Sequence, residues 1–209
     1  MSHNLQKKIY SVFHFNIFDK LINKKRSEIA NLLNDFFCDK NLYDVLDIGT
    51  TNDAKNTSSN YIIRNLKGYN VLKSISNQNI EIKAFSKCLN KSITENFTEK
   101  EIEIFSSDLV ISSATIEHVG NYQNQLKMID NIIKLSKKYF VIITPNRYHP
   151  IEFHTKLPFI HWLPKKIHRF ILFIIGQKFL SLQENLNLLS KNDFYLFMKK
   201  LNFKNYQIK

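Results

Sequence analysis

The sequence predicts an α/β fold: a doubly wound, mostly parallel sheet with helices on both faces. Three observations carry this prediction. Short apolar runs of strand length alternate with stretches of helical periodicity, as in βαβ units. The run at 43–49 ends in Gly49 and passes through a polar loop into a helical pattern, which reads as strand, loop, helix. The runs at 107–112 and 139–144 have the composition of strands buried on both faces.

The elements follow in order. Ile29, Leu32, Leu33, Phe36 and Phe37 lie at helical spacing, and Ser27 is the expected N-cap. After the first strand, a helix is expected over about 58–66, then strands over 69–75 and 80–85. The fourth strand is the run at 107–112. Tyr122, Leu126, Ile129 and Ile133 then trace one face of a helix that leads into the fifth strand. All four prolines, Pro145, Pro150, Pro158 and Pro164, fall in one window, so no continuous helix can cross it. A last helix is expected from Ser190 to about Leu201, and a sixth strand over 203–208. The 209 residues therefore divide into N-terminal helices (1–40), a core (41–150), a cap inserted after the fifth strand (151–190), and the last helix and strand of the core (191–209).

Composition excludes several classes. Two cysteines, Cys38 and Cys88, make no disulfide framework, which points to a reducing, cytoplasmic setting. The longest apolar run, Phe170 to Ile175, is far short of the ~20 residues that span a bilayer. The first ten residues lack the apolar stretch of a secretory signal. The net charge of +12 is uneven: residues 41–120 carry −2, whereas 121–164 carry +4 and 165–209 carry +7. The excess thus lies almost wholly after residue 120, where it hints at a substrate or an anionic surface.

Ligands of parallel sheets bind beyond the carboxyl ends of the strands, so the residues there are the informative ones. After the first strand, Asp47 can accept loop hydrogen bonds or face a cationic ligand group, and Gly49 allows a tight turn. Neither the three-glycine dinucleotide pattern nor the Gly-Lys-Ser/Thr phosphate loop is present, which lowers the case for NAD or ATP.

Three segments together, Val-Leu-Asp-Ile-Gly at 45–49, Ser-Asp-Leu-Val-Ile-Ser-Ser-Ala-Thr-Ile-Glu-His-Val at 107–119 and Thr-Pro-Asn-Arg at 144–147, resemble the class I S-adenosylmethionine-dependent methyltransferases, with the type 11 small-molecule enzymes the nearest likeness. The likeness covers roughly 40–150 and implies a Rossmann-like core with S-adenosylmethionine as cofactor. It implies that Asp47, Gly49, Thr50 and Thr51 border the methionine part of the cofactor, and that Ser112 to Ile116, with Ser113, Ala114 and Ile116 among them, line it. Two departures stand out. Gly49-Thr50-Thr51 lacks the usual second glycine, and Lys73 to Gln78 contains no carboxylate for the ribose hydroxyls, leaving Ser76 and Asn77 as their expected partners. Glu117 and His118 match the family's Glu-His pair. Glu117 fits better as a first-turn acid that complements a helix dipole, whereas for His118 the two readings stand level.

Beyond the fifth strand, residues 148–164 hold three histidines, one glutamate and the single tryptophan, a rigid aromatic loop suited to an acceptor pocket. Methyl transfer to a hydroxyl or protonated amine needs a base, for which His118, His154 and Glu152 are the candidates. Asn146, Arg147, His149, His161 and Trp162 are the candidate acceptor-binding residues. No metal is expected: His154, His161 and His168 are seven apart, but Pro158 and Pro164 break the helix that would align them. The stretch 165–180 joins a basic start to an apolar middle, which suits either a core-capping helix or a peripheral contact at the inner face of the membrane. The expected acceptor is a small molecule, or a glycoconjugate or lipid-linked group. An RNA methyltransferase and a catalytically inactive methyltransferase-like subunit are the alternatives, nucleic acid being disfavoured by the lack of an added binding segment. The sequence leaves the oligomeric state open.

Overall fold

The computed structural model describes residues 16–209. Five strands form one parallel sheet: β1 (Asp44–Ile48), β2 (Val71–Ser76), β3 (Lys87–Asn90), β4 (Ser107–Ser113) and β5 (Ser136–Ile143), in the order β3-β2-β1-β4-β5. Helices surround it: α1 (Asn16–Phe37), α2 (Tyr61–Asn65), α3 (Glu99–Phe105) and α4 (Tyr122–Leu135). Beyond β5 come α5 (Lys165–Ile174), α6 (Lys178–Ser181) and α7 (Lys191–Lys200), with single 3₁₀ turns at Ile116–His118 and Ile160–Trp162. The expected α/β class is therefore the observed one.

Every residue of β1 is buried, as a central strand of a parallel sheet requires. Its pairings Val45↔Leu109 and Val45↔Leu72 align the apolar residues of β1, β4 and β2. Val45, Leu109, Ile111 and Leu72 pack with Ala30, Leu33 and Phe37 of α1 and Ile62 and Ile63 of α2 into one core. At the amino ends of the strands, Lys73 bonds Asp44 at 2.6 Å while the Asp108 amide donates to the other oxygen of Asp44 at 2.8 Å. This buried pair fixes the register of three strands at once.

Three expectations change, and one helix stands where none is expected. Ser27 lies within α1 and caps nothing, because the apolar periodicity continues on its N-terminal side. The third strand is Lys87–Asn90, not 80–85; it is an exposed edge whose side chains carry no buried alternation to read. Residues 203–208 form no strand. Helix α3 was not anticipated, although Thr98 and Glu101 make a reciprocal capping box at its start.

The chain divides into two compact units. One comprises residues 20–116 and 127–143 and contains the sheet; the other includes 117–126 and 144–209. The second has its own apolar cluster of Leu172, Leu180, Leu186 and Leu188. Among the described residues no helix is long and apolar enough to cross a membrane.

Candidate functional site

In the sheet-bearing unit, strand order reverses between β1 and β4, and the loops at their carboxyl ends are closely knit. Gly49 has φ +85°, and its amide donates to the Ile75 carbonyl at 2.9 Å. A Cβ at this position would stand 2.2 Å from Oγ1 of Thr115, so the turn after β1 is closed onto the turn after β4. The Thr115 hydroxyl lies 3.2 Å from the Ile48 carbonyl and reinforces that closure. Only glycine satisfies both the conformation and the contact.

Asp47 is buried at the end of β1 and accepts from the Thr50 hydroxyl at 2.6 Å. Burial raises its pKa to about 6, with the Thr50 hydrogen bond pulling the other way. Ser74 donates to Thr50 Oγ1 at 2.8 Å, and Ser76 donates to the Thr50 carbonyl at 2.7 Å. The Thr51 amide and hydroxyl both donate to Oδ1 of Asn60, and the Asn60 amide returns a bond to the Thr51 carbonyl. Ser112, at the end of β4, is buried with no hydrogen-bond partner for its hydroxyl among the described residues.

Of the residues expected at a cofactor, Asp47, Gly49, Thr50, Thr51 and Ser76 share this network. Asn77 is exposed at the end of β2, and Ala114 is exposed with φ +53°. Ser113 is half-buried, and Ile116 is fully buried. The clamping role of Asn60 was not read from the sequence, because nine residues of loop separate it from Thr51. A cavity of about 260 Å³ lined by Asn96, Phe97, Ile102, Lys127, Asn131 and Lys134 contains none of the expected cofactor residues.

In the other unit, the proline-rich loop is held by its own polar groups. Arg147 donates to the carbonyls of His161 (3.1 Å) and Leu163 (2.7 Å), so its guanidinium shapes the loop. His161 Nε2, at 2.6 Å, and Trp162 Nε1, at 3.2 Å, both bond the His149 carbonyl. His149 turns its own Nδ1 to the Ile151 backbone, and Asn146 accepts from the Tyr148 amide and bridges to Leu189. All five residues expected to bind an acceptor thus carry loop-forming bonds through their side chains.

Glu152, His154 and His118 come together. Glu152 is 2% exposed and accepts from the amides of His154 and Thr155. Its Oε1 lies 2.6 Å from Nδ1 of His154. Burial alone would raise this carboxyl, but the His154 charge and the hydrogen bonds from His154 and Thr155 outweigh it and hold it at about 2. Nε2 of His154 lies 3.1 Å from Nε2 of His118, whose Nδ1 meets the Asn185 carbonyl. Burial lowers the His118 pKa. Glu117 is fully buried beside both rings; Thr144 donates to its Oε2 at 2.9 Å. Its Oε1 has no hydrogen-bond partner among the described residues.

No protein-family model matches the sequence, and no curated protein matches it. Solved structures give distant likenesses. N-methyltransferase NodS from Bradyrhizobium japonicum WM9, in complex with S-adenosyl-L-homocysteine, aligns at 12% identity and TM-score 0.43 over 57% of this chain and 60% of that one. A second NodS structure aligns at 13% identity and TM-score 0.44, over 63% and 71%. Coclaurine N-methyltransferase bound to N-methylheliamine and the same product aligns at 11% and 0.45, over 82% of this chain and 48% of that one. The chain therefore spans about three fifths of the first of these proteins. Likenesses this distant assign neither a site nor an activity.

Proposed function

We propose that this chain is an S-adenosylmethionine-dependent methyltransferase acting on a small-molecule or glycoconjugate acceptor. The observation that supports it is the pairing, at the carboxyl ends of β1 and β4, of a buried carboxylate with a glycine turn closed on the opposite loop. A carboxylate held away from water at a cost in stability is explained by a cationic ligand, and a sulfonium cofactor with an ammonium group is one. The Ser112 hydroxyl, buried at the same strand ends with no hydrogen-bond partner among the described residues, supports the same reading.

Asp47 and the 49–51 turn would hold the methionine part of the cofactor, with Ser113, Ala114 and Ile116 along the opposite loop. Ser76 is already bonded to Thr50, so Asn77 is the side chain left for the ribose hydroxyls, a weaker partner than a carboxylate. The cofactor supplies a sulfonium methyl whose transfer is an in-line displacement, leaving the protein mainly to position the reactants and exclude water. His118 and His154 are the groups proposed to receive the acceptor's proton, with Glu152, whose carboxyl is held at about 2, proposed to orient His154 through its 2.6 Å contact with Nδ1. The exposed faces of His149 and Trp162, with Asn146, Arg147 and His161 shaping the loop beneath them, are proposed to contact the acceptor.

Hydrogen exchange on the full chain tests the cofactor seat. S-adenosylhomocysteine is expected to protect amides in 47–52 and 112–116; binding that leaves both segments unprotected refutes this placement.

The exposed apolar residues of α5, Ile167, Phe170, Phe173 and Ile174, lie among Lys165, Lys166 and Arg169 and favour peripheral contact with an anionic membrane, where a lipid-linked acceptor would be found. The chain is expected to sediment with anionic vesicles and not with neutral ones, and Phe170→Ser/Phe173→Ser to lose that binding.

A further inference from the structure

Glu117, His118 and His154 form a cluster that the methyl-transfer reading does not require in this form. Each histidine presents Nδ1 to an acceptor: His118 to the Asn185 carbonyl, and His154 to the Glu152 carboxylate at 2.6 Å. A neutral ring whose Nδ1 faces an acceptor carries its proton there, leaving a lone pair on Nε2. The two Nε2 atoms nevertheless face each other at 3.1 Å. Lone pairs do not approach so closely unless a proton or a cation stands between them.

Glu117 separates those two possibilities. Its Oε1 lies 3.9 Å from Nε2 of His154 and 4.0 Å from Nε2 of His118. The side chain is fully buried, Oε2 is occupied by the Thr144 hydroxyl, and Oε1 has no hydrogen-bond partner among the described residues. A proton shared by the two rings satisfies them and leaves that oxygen without a partner. A cation satisfies all three atoms.

We infer that Glu117, His118 and His154 form a binding site for a divalent transition-metal ion of the zinc type. Donors at 2.0–2.2 Å in tetrahedral geometry stand about 3.3–3.5 Å apart, so small side-chain shifts from the observed 3.1, 3.9 and 4.0 Å complete the set. Two imidazoles and a carboxylate are a known zinc donor set, and they disfavour calcium and magnesium, which take oxygen ligands. The outer partners are also in place: a carboxylate and a backbone carbonyl fix the Nδ1–H tautomers, and the Thr144 hydroxyl orients the carboxylate. With the metal bound, the imidazoles serve as ligands, so the proton-accepting role proposed above for His118 and His154 belongs to the metal-free chain. The inference goes beyond the methyltransferase reading and does not rest on it.

The test is a zinc titration of the chelator-stripped full chain, without cofactor, in competition with a chromophoric chelator. One zinc per chain is expected with Kd below about 1 µM, and no comparable uptake of magnesium or calcium. Cobalt(II) in place of zinc is expected to give the intense visible absorption of a four-coordinate site. His154→Ala is expected to weaken zinc at least about 100-fold, more than the loss of an outer-shell partner does. Glu117→Gln preserves shape, guards against a folding defect in the histidine variant, and is expected to weaken zinc at least about tenfold. A wild-type chain that takes up no stoichiometric zinc, as a proton-sharing pair would, overturns the inference. So does undiminished uptake by folded His154→Ala or Glu117→Gln. Failure of S-adenosylhomocysteine to bind leaves this result standing, and the reverse is equally true.

Discussion

Gly49→Ala is expected to destabilise the chain by about 3–4 kcal/mol, the sum of a left-handed backbone forced on a residue with a Cβ and overpacking against a neighbour. The observed φ of +85° and the 2.2 Å approach to Thr115 Oγ1 make both costs unavoidable. Thr115 can retreat only by giving up its contact with the Ile48 carbonyl, 3.2 Å away. In a chain of 209 residues this corresponds to a fall in melting temperature of roughly 10 °C. Thermal denaturation measures it. Gly49→Ala/Thr115→Ala should recover part of the loss, because removing Oγ1 and Cγ2 leaves only the milder contact with Cβ at 2.9 Å. Strictly additive losses would show that the two turns do not press on each other.

Asp47→Asn is expected to move stability and ligand affinity in opposite directions. The folded-state pKa of Asp47 is raised from 3.8 to about 6, so the folded chain holds this proton more tightly than the unfolded chain does. Its contribution to stability is therefore fully present below about pH 4 and is lost as pH rises through about 6. A shift of this size is worth up to about 3 kcal/mol at neutral pH. Weakening of the Thr50 hydrogen bond takes back about 1 kcal/mol. Asp47→Asn should then unfold about 2 kcal/mol less readily than the parent at pH 7.5, with the advantage vanishing below pH 4. If Asp47 faces a cationic cofactor, the same variant should lose at least about tenfold in affinity for S-adenosylhomocysteine through the missing charge. A gain in stability with unchanged affinity would make Asp47 a structural residue only.

Both predictions rest on features legible in the sequence. The runs around Val45–Ile48, Leu109–Ile111 and Val141–Ile143 mark the three adjoining strands because they are unbroken apolar runs, buried in β1 and β4 but only half-buried in β5, where burial on both faces is expected, and Gly49 marks the turn. The edge strand Lys87–Asn90 was not legible for the opposite reason: three of its four residues are exposed, so burial imposes no pattern on it. Phe203 to Ile208 has strand composition but pairs with no strand among the described residues, and composition alone does not ensure pairing. The capping box at Thr98 was readable from its Thr-x-x-Glu spacing and would have located α3.

The candidate site divides in the same way. Asp47, Thr50 and Thr51 are close in sequence, so a single motif of the family resemblance implies all three. Glu117 and His118 are expected as an adjacent pair, and His118, His154 and Glu152 as alternative bases. Their convergence was not legible, because 36 residues separate His118 from His154 and no helical or strand repeat links them. The expectation of no metal weighed the evenly spaced His154, His161 and His168, whereas the structure brings together residues with no regular spacing.

Calorimetric titration of the full chain with S-adenosylhomocysteine tests the central claim most directly. The account predicts a single site per chain with Kd below about 100 µM. The absence of any binding heat at millimolar ligand, for a chain shown to be folded, would contradict it.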